Sequence, residues 1–288
     1  MRRKTSTGSW VAAVVVVLAV VAAGVFLARK AMHADQSAAP ATVAPTPATT
    51  TSAAVPIRHP IAEAQAQPAG ASTAALPPLD QSDAEVASSL ERLAGNSPLS
   101  LLLVRPQIIA RIVATIDAMP GRSLGGFMLP ARTPKGAFVT QAVDGNTVIG
   151  AGNAARYAPY MRVVEQVDPQ ALVAWYVHAY PLFQQAYRQL GYPKGYFNDR
   201  LVVVIDNLLA APEPAAPPAL RLSNGYYVYA DPGLESLSAG QRLLLRTGPA
   251  NEAAIKAKLR TIRSLLVGQQ LRPAAAGTAA PVGDARSG

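Results

Sequence analysis

The sequence of 288 residues contains no cysteine, which excludes disulfides, thiolate metal sites and cysteine nucleophiles. Histidine is scarce as well, with three in the whole chain. His33 and His59 stand in polar surroundings without further metal-binding side chains. His178 lies outside any HExxH or carboxylate-rich spacing. The sequence therefore predicts no metal site and no cofactor.

The chain also lacks the basic stripe that marks nucleic-acid-binding proteins, although its net charge is +9. Part of this excess flanks an apolar segment near the N-terminus, where cations are expected for membrane topology. These flanking cations are Arg2, Arg3, Lys4, Arg29 and Lys30. The rest of the chain is only mildly basic. We therefore predict no binding to nucleic acid.

Residues 10–28 form a long apolar run without charge or proline. A helix of about 20 such residues crosses the hydrocarbon core of a bilayer. Trp10 suits the membrane interface at one end of this run. The alternative is a cleaved signal peptide, but its apolar region is usually shorter, and Met32 and Ala34 make a poor cleavage site. The sequence favours an uncleaved transmembrane helix.

The topology follows from the charges and from the segment after the apolar run. Three basic side chains precede the run and two follow it, which favours a cytoplasmic N-terminus. The next segment is rich in alanine, proline and threonine, a composition typical of disordered linkers. We predict a single-pass protein of the inner membrane whose C-terminal domain faces the periplasm. Its parts are a cytoplasmic N-terminus at 1–9, a transmembrane helix at 10–28, a disordered linker at 29–78, a helical domain at 79–267 and a disordered tail at 268–288.

Helix start signals recur through the predicted domain. Ser82 with Glu85, and Ser238 with Gln241, have the spacing of capping boxes. Asp168 is a candidate N-cap before Pro169. A last helix is predicted from about Pro249 to Val267, with Ile255, Leu259, Ile262 and Leu266 facing inward and Lys256, Lys258, Arg260 and Arg263 largely outward.

Residues 169–212 predict three short helices, because Pro181 interrupts the first apolar face and Gly191 the second. Two turn dipeptides, Asp144-Gly145 and Asn224-Gly225, predict small β-hairpins. The expected fold is therefore mainly α, a compact helical domain with one or two small β-hairpins.

Four motifs resemble one protein family, the domain-of-unknown-function 3014 family of bacterial envelope proteins. They are RYAPY (156–160), AYPLFQQAYRQLGYP (179–193), GYFNDRLVVVIDNLLAAP (195–212) and ADPGLESLSAGQRLLLRTGP (230–249). The resemblance extends from about Leu79 to Val267. It implies a single-span membrane protein with a largely helical extracytoplasmic domain, and it implies no activity. The alanine-rich loop at 212–219 is a departure from the family pattern.

All ten tyrosines fall between residues 157 and 229. Tyrosine offers an apolar face and a hydroxyl, which suits sugar rings or peptides. Helical periodicity instead assigns Tyr176 and Tyr187 to the core. Tyr192 and Tyr196 lie in the GYPKGYF turn and are the exceptions. The cluster is thus interpreted mainly as packing, with one exposed turn.

Cationic side chains lie on both sides of this turn. They form either a solvated helix face or contacts for an anionic cell-wall or lipid component. The candidate binding surface comprises Arg188, Tyr192, Lys194, Tyr196, Asn198 and Arg200. The partners we expect are the membrane, crossed once, and an envelope protein, peptidoglycan or an anionic glycan.

Paired carboxylates offer the main alternative. Asp199 and Asp206 would share a helix face about 10 Å apart along the axis, a spacing that would fit an inverting glycosidase. First-turn charge for Asp199 and a buried ion pair with an arginine for Asp206 explain them better. We predict an extracytoplasmic binding or scaffold module without catalysis. A cell-wall hydrolase using Asp199, Asp206 or Glu165 is the alternative, and a solute-binding receptor is a third possibility.

Overall fold

The computed structural model of the chain describes residues 56–64, 75–124 and 129–268. The predictions for residues 1–55, including the transmembrane helix, and for residues 269–288 lie outside this part. Within the described ranges, no helix is both long and apolar enough to cross a membrane.

The described part of the chain is mainly helical, as predicted, with ten α-helices, two short 3-10 turns and four β-strands. The 3-10 turns lie at Ile61–Glu63 and Leu79–Gln81. The helices, in chain order, are α1 Asp83–Ala94, α2 Leu99–Leu102, α3 Ile108–Ala118, α4 Gly152–Arg156, α5 Ala158–Gln166, α6 Pro169–Gln189, α7 Phe197–Leu209, α8 Pro232–Ser236, α9 Ala239–Thr247 and α10 Pro249–Leu266.

Helix α6 is the centre of the fold and packs against α3, α7 and α10. Phe183 on α6 stacks on Phe197 at the start of α7, with ring centroids 5.6 Å apart, and both rings are fully buried. Tyr176 and Tyr187 are buried around the same pair, as the periodicity predicted. Each such side chain contributes about 1.5–3 kcal/mol by leaving water. Most of the aromatic-rich stretch is therefore core.

One predicted interruption is wrong, because α6 continues through Pro181. An interior proline removes a backbone hydrogen bond and costs about 3 kcal/mol. Leu182 and Phe183, directly after it, are both buried, and Pro181 itself faces solvent. The burial of these two side chains offsets that cost, since each contributes about 1.5–3 kcal/mol. Two helices, α6 and α7, therefore replace the three that were predicted.

The helix starts follow the predicted signals in two of three places. Asp168 caps α6 by accepting a hydrogen bond from the Ala171 amide at 3.0 Å. Ser238 and Gln241 form the complete capping box at the start of α9. The predicted box at Ser82 is wrong, because the Ser82 hydroxyl donates instead to the Leu79 carbonyl at 2.8 Å. A 3-10 turn already precedes α1 and supplies that carbonyl.

Both predicted hairpins are confirmed. Strands β1 (Thr140–Val143) and β2 (Asn146–Ile149) turn at Asp144-Gly145, and strands β3 (Ala219–Ser223) and β4 (Tyr226–Tyr229) turn at Asn224-Gly225. All four turn residues have positive φ, which is what type I′ turns require. The sequence did not predict that β2 pairs with β3, which joins the hairpins into one antiparallel sheet of order β1-β2-β3-β4.

Two further differences concern single segments. Residues 56–64, assigned to the disordered linker, lie against α6 and α7, and Ile61 and Ala64 pack on the core. Lys256, predicted to face outward on α10, is 1% exposed. Its ammonium is held by the Ala211 carbonyl at 2.6 Å and by two carboxylates. Glu252 lies four residues before Lys256 on the same helix, but a helical pattern contains no signal for the distant partners Ala211 and Glu213.

Candidate functional site

The turn between α6 and α7, residues 190–196, contains three of the six predicted surface residues, Tyr192, Lys194 and Tyr196. Two glycines shape it. Gly191 has φ of 119°, a conformation that side chains strongly disfavour. A Cβ added at Gly195 would lie 2.8 Å from Cε1 of Tyr187, so only glycine fits there without a shift. The turn is therefore tightly specified by its own sequence.

Tyr192 stands on the outside of this turn with 41% of its surface exposed. Its ring stacks on Tyr187 with centroids 4.5 Å apart and an interplanar angle of 17°. Its hydroxyl donates to Asp117 Oδ2 at 3.0 Å, and this hydrogen bond raises the pKa of Tyr192. The ring is thus held in one orientation while part of it faces solvent.

Arg200 is tied to the same acid. Its Nε lies 2.7 Å from Asp117 Oδ1, and its Nη2 donates to the Asp117 carbonyl oxygen at 2.6 Å. The Arg200 side chain is 29% exposed. Asp117 lies near the end of α3, so this contact fixes the first turn of α7 against α3. Arg200 belongs to the support of the surface rather than to its outward face.

Gln184, which the sequence analysis did not single out, holds the turn from inside. Its Oε1 accepts hydrogen bonds from the Phe197 amide at 3.0 Å and the Tyr180 hydroxyl at 2.7 Å. Its Nε2 donates to the Gly195 carbonyl at 2.7 Å. Buried polar groups are expected to be paired in this way. The only signal in the sequence is a glutamine at a core-facing position of an apolar stretch.

Asn198 does not belong to the exposed surface, because it is 1% exposed. Its Nδ2 donates to the His59 carbonyl at 2.8 Å, and its Oδ1 accepts from the Tyr176 hydroxyl at 3.4 Å. Next to it, Asp199 accepts from the amides of Arg58 and His59 at 3.1 and 2.7 Å. The first turn of α7 therefore binds the backbone of residues 56–64 instead of a ligand.

The side chains that remain exposed define what we call the α6–α7 surface: Arg188, Leu190, Tyr192, Lys194 and Tyr196. Three are apolar or aromatic, with Leu190 and Tyr192 each 41% exposed and Tyr196 36% exposed. The other two are cations. A rigid aromatic patch with flanking cations suits a partner with flat apolar faces and negative charge.

The carboxylates of the hydrolase alternative each have their own surroundings. Asp206 forms a two-point ion pair with Arg263 on α10, and its side chain is 47% exposed, so the predicted pairing is observed but not the predicted burial. The Asp199 carboxylate accepts hydrogen bonds from the backbone amides of Arg58 and His59. Glu165 lies exposed on α5.

A serine motif also occurs, since residues 121–125 read Gly-Arg-Ser-Leu-Gly and match the GxSxG pattern. In the hydrolases that use it, this motif forms a sharp turn between a strand and a helix. Ser123 instead follows helix α3, and the next regular element of the described chain is β1. No group of three or more His, Asp or Glu side chains in the described ranges is placed to hold a metal ion.

The structure defines a mainly α domain with a four-stranded antiparallel sheet and one rigid aromatic turn on its surface. The model of the family described as protein of unknown function (DUF3014) matches residues 108–263, more than half of the chain. The chain belongs to this family, as the sequence motifs predicted, and the match includes the whole α6–α7 surface. Comparison with curated proteins and with solved structures gives no match.

Proposed function

We propose that this protein is a membrane-tethered extracytoplasmic binding or scaffold module of the bacterial cell envelope, and that the α6–α7 surface is its contact site. The observation that supports the proposal most is the exposure of Leu190, Tyr192 and Tyr196 on one tightly held turn. Single exposed apolar side chains are ordinary, but several grouped on one short segment of the surface often mark a binding site.

The contacts that hold the turn in one conformation also favour a binding role. Tyr192 is stacked on Tyr187 and hydrogen-bonded to Asp117, and Gln184 holds the backbone. A side chain already fixed in its bound orientation loses less entropy when a partner arrives. Preorganised tyrosines are among the residues that contribute most to interfaces.

The cations Arg188 and Lys194 point to a partner with negative charge. Peptidoglycan combines sugar rings, which stack on tyrosine, with free carboxylates, which attract arginine and lysine. It is therefore the partner class that fits both halves of the surface. The docked segment 56–64 adjoins Tyr196 through Asn198 and Asp199, so the surface lies beside the point where the proposed tether meets the domain.

A co-sedimentation assay tests the proposal with purified peptidoglycan sacculi as the probe. The full-length chain, kept dispersed in mild detergent, is expected to pellet with sacculi, and more salt is expected to release it. The double variant Y192A/Y196A removes both exposed rings. We expect it to bind about tenfold more weakly, because truncating a central aromatic commonly costs more than 1 kcal/mol.

Two matched controls separate this surface from general stickiness. Tyr227 on β4 is 37% exposed, similar to Tyr196, so Y227A removes an equally accessible ring elsewhere. R188Q removes a cation of the surface and should weaken binding. Arg221 on β3 is an exposed cation outside the surface, so R221Q is the control for R188Q. Equal pelleting of Y192A/Y196A and Y227A would overturn the assignment of the surface. A wild-type chain that stays in the supernatant at low salt would overturn peptidoglycan as the partner.

The hydrolase alternative gains no support from the contacts of its carboxylates. Asp199 and Asp206 each have a structural partner, the backbone of residues 58–59 and Arg263 respectively. Because both carboxylates are engaged in these contacts, the binding proposal accounts for more of the observed geometry.

A further inference from the structure

The two edges of the β-sheet differ in how their backbone groups are satisfied. The sheet has the order β1-β2-β3-β4, so β1 and β4 are its edge strands. Side chains occupy the outer edge of β4. Arg246 Nη2 donates to the Tyr227 carbonyl at 3.1 Å, and Glu235 Oε2 accepts from the Tyr229 amide at 2.9 Å. Helix α8 also packs against this strand. The edge at β4 is therefore protected, as sheet edges in natural proteins commonly are.

The edge at β1 has no such protection among the described residues. The Gly150 amide donates to the Val139 carbonyl at 2.9 Å and so continues the β1–β2 ladder. Successive residues of an antiparallel strand direct their backbone groups to alternate sides, so those of Thr140 and Ala142 point away from β2. No hydrogen bond from the described chain outside the ladder reaches the backbone of either residue. The outer edge of β1 is therefore open.

The sequence of this edge contains nothing that would keep another strand away. Residues 137–143 include no charged residue and no proline, which are common means of blocking an edge. Val139 and Val143 are 47% and 37% exposed. Because side chains alternate along a strand, both valines lie on the same face, with Gln141 between them. Exposed β-branched side chains beside free backbone groups suit the addition of a further strand.

A second copy of the same strand fits this edge in one register. When two β1 strands pair antiparallel about a two-fold axis at Gln141, Thr140 of each copy stands opposite Ala142 of the other. The free backbone groups of these residues then form hydrogen-bonded pairs. The same register places Val139 of each copy opposite Val143 of the other, so that the exposed valines cover each other. The contact uses the same patch on both copies and is complete with two of them.

The charges beyond the ends of the strand favour the same orientation. Lys135 precedes β1 and Asp144 directly follows it, and both side chains are exposed. Antiparallel pairing brings the Asp144 end of one copy to the Lys135 end of the other, whereas parallel pairing would bring like charges together. Charges about 10 Å apart still interact at low ionic strength.

We propose that β1 pairs with β1 of a second copy of this chain and joins the two four-stranded sheets into one continuous sheet. The contact uses no residue of the α6–α7 surface and does not depend on the function proposed above. Because β1 has only four residues, the interface is small and the dimer is expected to be weak.

Disulfide trapping tests this pairing, since the chain has no cysteine of its own. In the proposed register Gln141 faces its own copy at a non-hydrogen-bonded position, where the Cα atoms are about 4.5 Å apart, a distance that a disulfide spans. The two copies of Val143 would lie about 13 Å apart along the strands. With copper phenanthroline as the oxidant, we expect full-length Q141C in mild detergent to form covalent dimers about tenfold faster than V143C.

Two further measurements separate the proposed register from random collision. T147C places a cysteine at an exposed position of the inner strand β2 and should react as slowly as V143C. A mixture of V139C and V143C should give dimers that contain one chain of each. Association through residues 1–55 would affect all these variants alike. Equal rates for Q141C, V143C and T147C would overturn the proposal, and so would a Q141C chain that stays monomeric.

A142P tests whether backbone pairing joins the two copies. Proline is tolerated on an edge strand where its missing amide would face outward, as the Ala142 amide does. We expect Q141C/A142P to lose the rapid cross-linking of Q141C while its melting temperature stays close to that of Q141C. Rapid cross-linking in both would overturn the proposal. The comparison of Q141C with V143C decides the question even if A142P disturbs the hairpin.

Discussion

Asp117 accepts from Tyr192 through one carboxylate oxygen and from Arg200 through the other, at 3.0 and 2.7 Å. A single acid near the end of α3 therefore orients an exposed ring of the α6–α7 surface and fixes the first turn of α7. Tyr192 and Arg200 lie 75 and 83 positions after Asp117 in the sequence. No local pattern could have linked them.

We expect D117A to lower the free energy of unfolding by about 1–3 kcal/mol, because it removes charge-assisted hydrogen bonds that are only partly screened by solvent. Urea unfolding measures this change. The loss should be accompanied by greater mobility of the Tyr192 ring, seen in its NMR signals. Glu91 pairs with Arg105 at a more exposed site, so E91A serves as the control and should change stability by less than about 1 kcal/mol. Equal effects of D117A and E91A would contradict the role given to Asp117.

The second prediction concerns Lys256, a buried cation on α10 that pairs with Glu213 and Glu252. K256M keeps much of the side-chain volume but leaves Glu252 enclosed without its counter-charge. Removal of one partner of a buried pair costs about 3–5 kcal/mol, and chemical unfolding at neutral pH should show a loss of this size. Arg260 on the same helix is exposed, and R260M should have little effect. Adding E252Q to K256M is expected to restore part of the stability, because the uncompensated charge disappears.

The pH dependence of Glu252 provides a third prediction. Burial raises the pKa of Glu252 above the usual 4.5 of a glutamate, so the folded protein binds this proton more tightly than the unfolded chain. The stability that Glu252 adds is therefore fully present below pH 4.5 and is lost as pH rises through the folded-state pKa. The difference in unfolding free energy between wild type and E252Q should fall with pH over this window and then level off. A difference that grows with pH would contradict the assignment.

Local signals in the sequence predicted the parts of the fold that depend on local chemistry. Asn224-Gly225 and Asp144-Gly145 require positive φ and formed the expected hairpins. The Ser238–Gln241 box needs only four residues and is complete. The pairing of β2 with β3 joins Thr147 to Leu220 and depends on the whole fold, so no such signal existed for it.

In the candidate site, too, the sequence predicted what depends on local chemistry and missed what depends on distant residues. Tyr192 and Tyr196 were correctly expected at the surface, because glycines and a proline mark the turn that carries them. Asn198 was misplaced, since its burial depends on the distant backbone of His59. Lys256 was misplaced for the same reason, as Ala211 and Glu213 lie more than 40 residues away. Helical periodicity shows which face a residue occupies but not what that face meets.

The docking of residues 56–64 is the basis of the last prediction. The Asp199 carboxylate accepts hydrogen bonds from the amides of Arg58 and His59 and so holds the segment against α7. D199A should abolish hydrogen-exchange protection of these two amides and speed tryptic cleavage after Arg58. Because Asp199 is partly exposed, the melting temperature should change little.

D206A provides the matched control, because it removes an acid from the same helix that pairs with Arg263 instead. It should leave the two amides protected and Arg58 as resistant to trypsin as in the wild type. If D199A and D206A behave alike, the segment is held by Ile61, Ala64 and the Asn198 hydrogen bond rather than by the acid. A third variant, N198A, then measures the contribution of the bond to the His59 carbonyl. Loss of protection in D199A alone would show that one carboxylate decides whether the segment beside the α6–α7 surface stays bound.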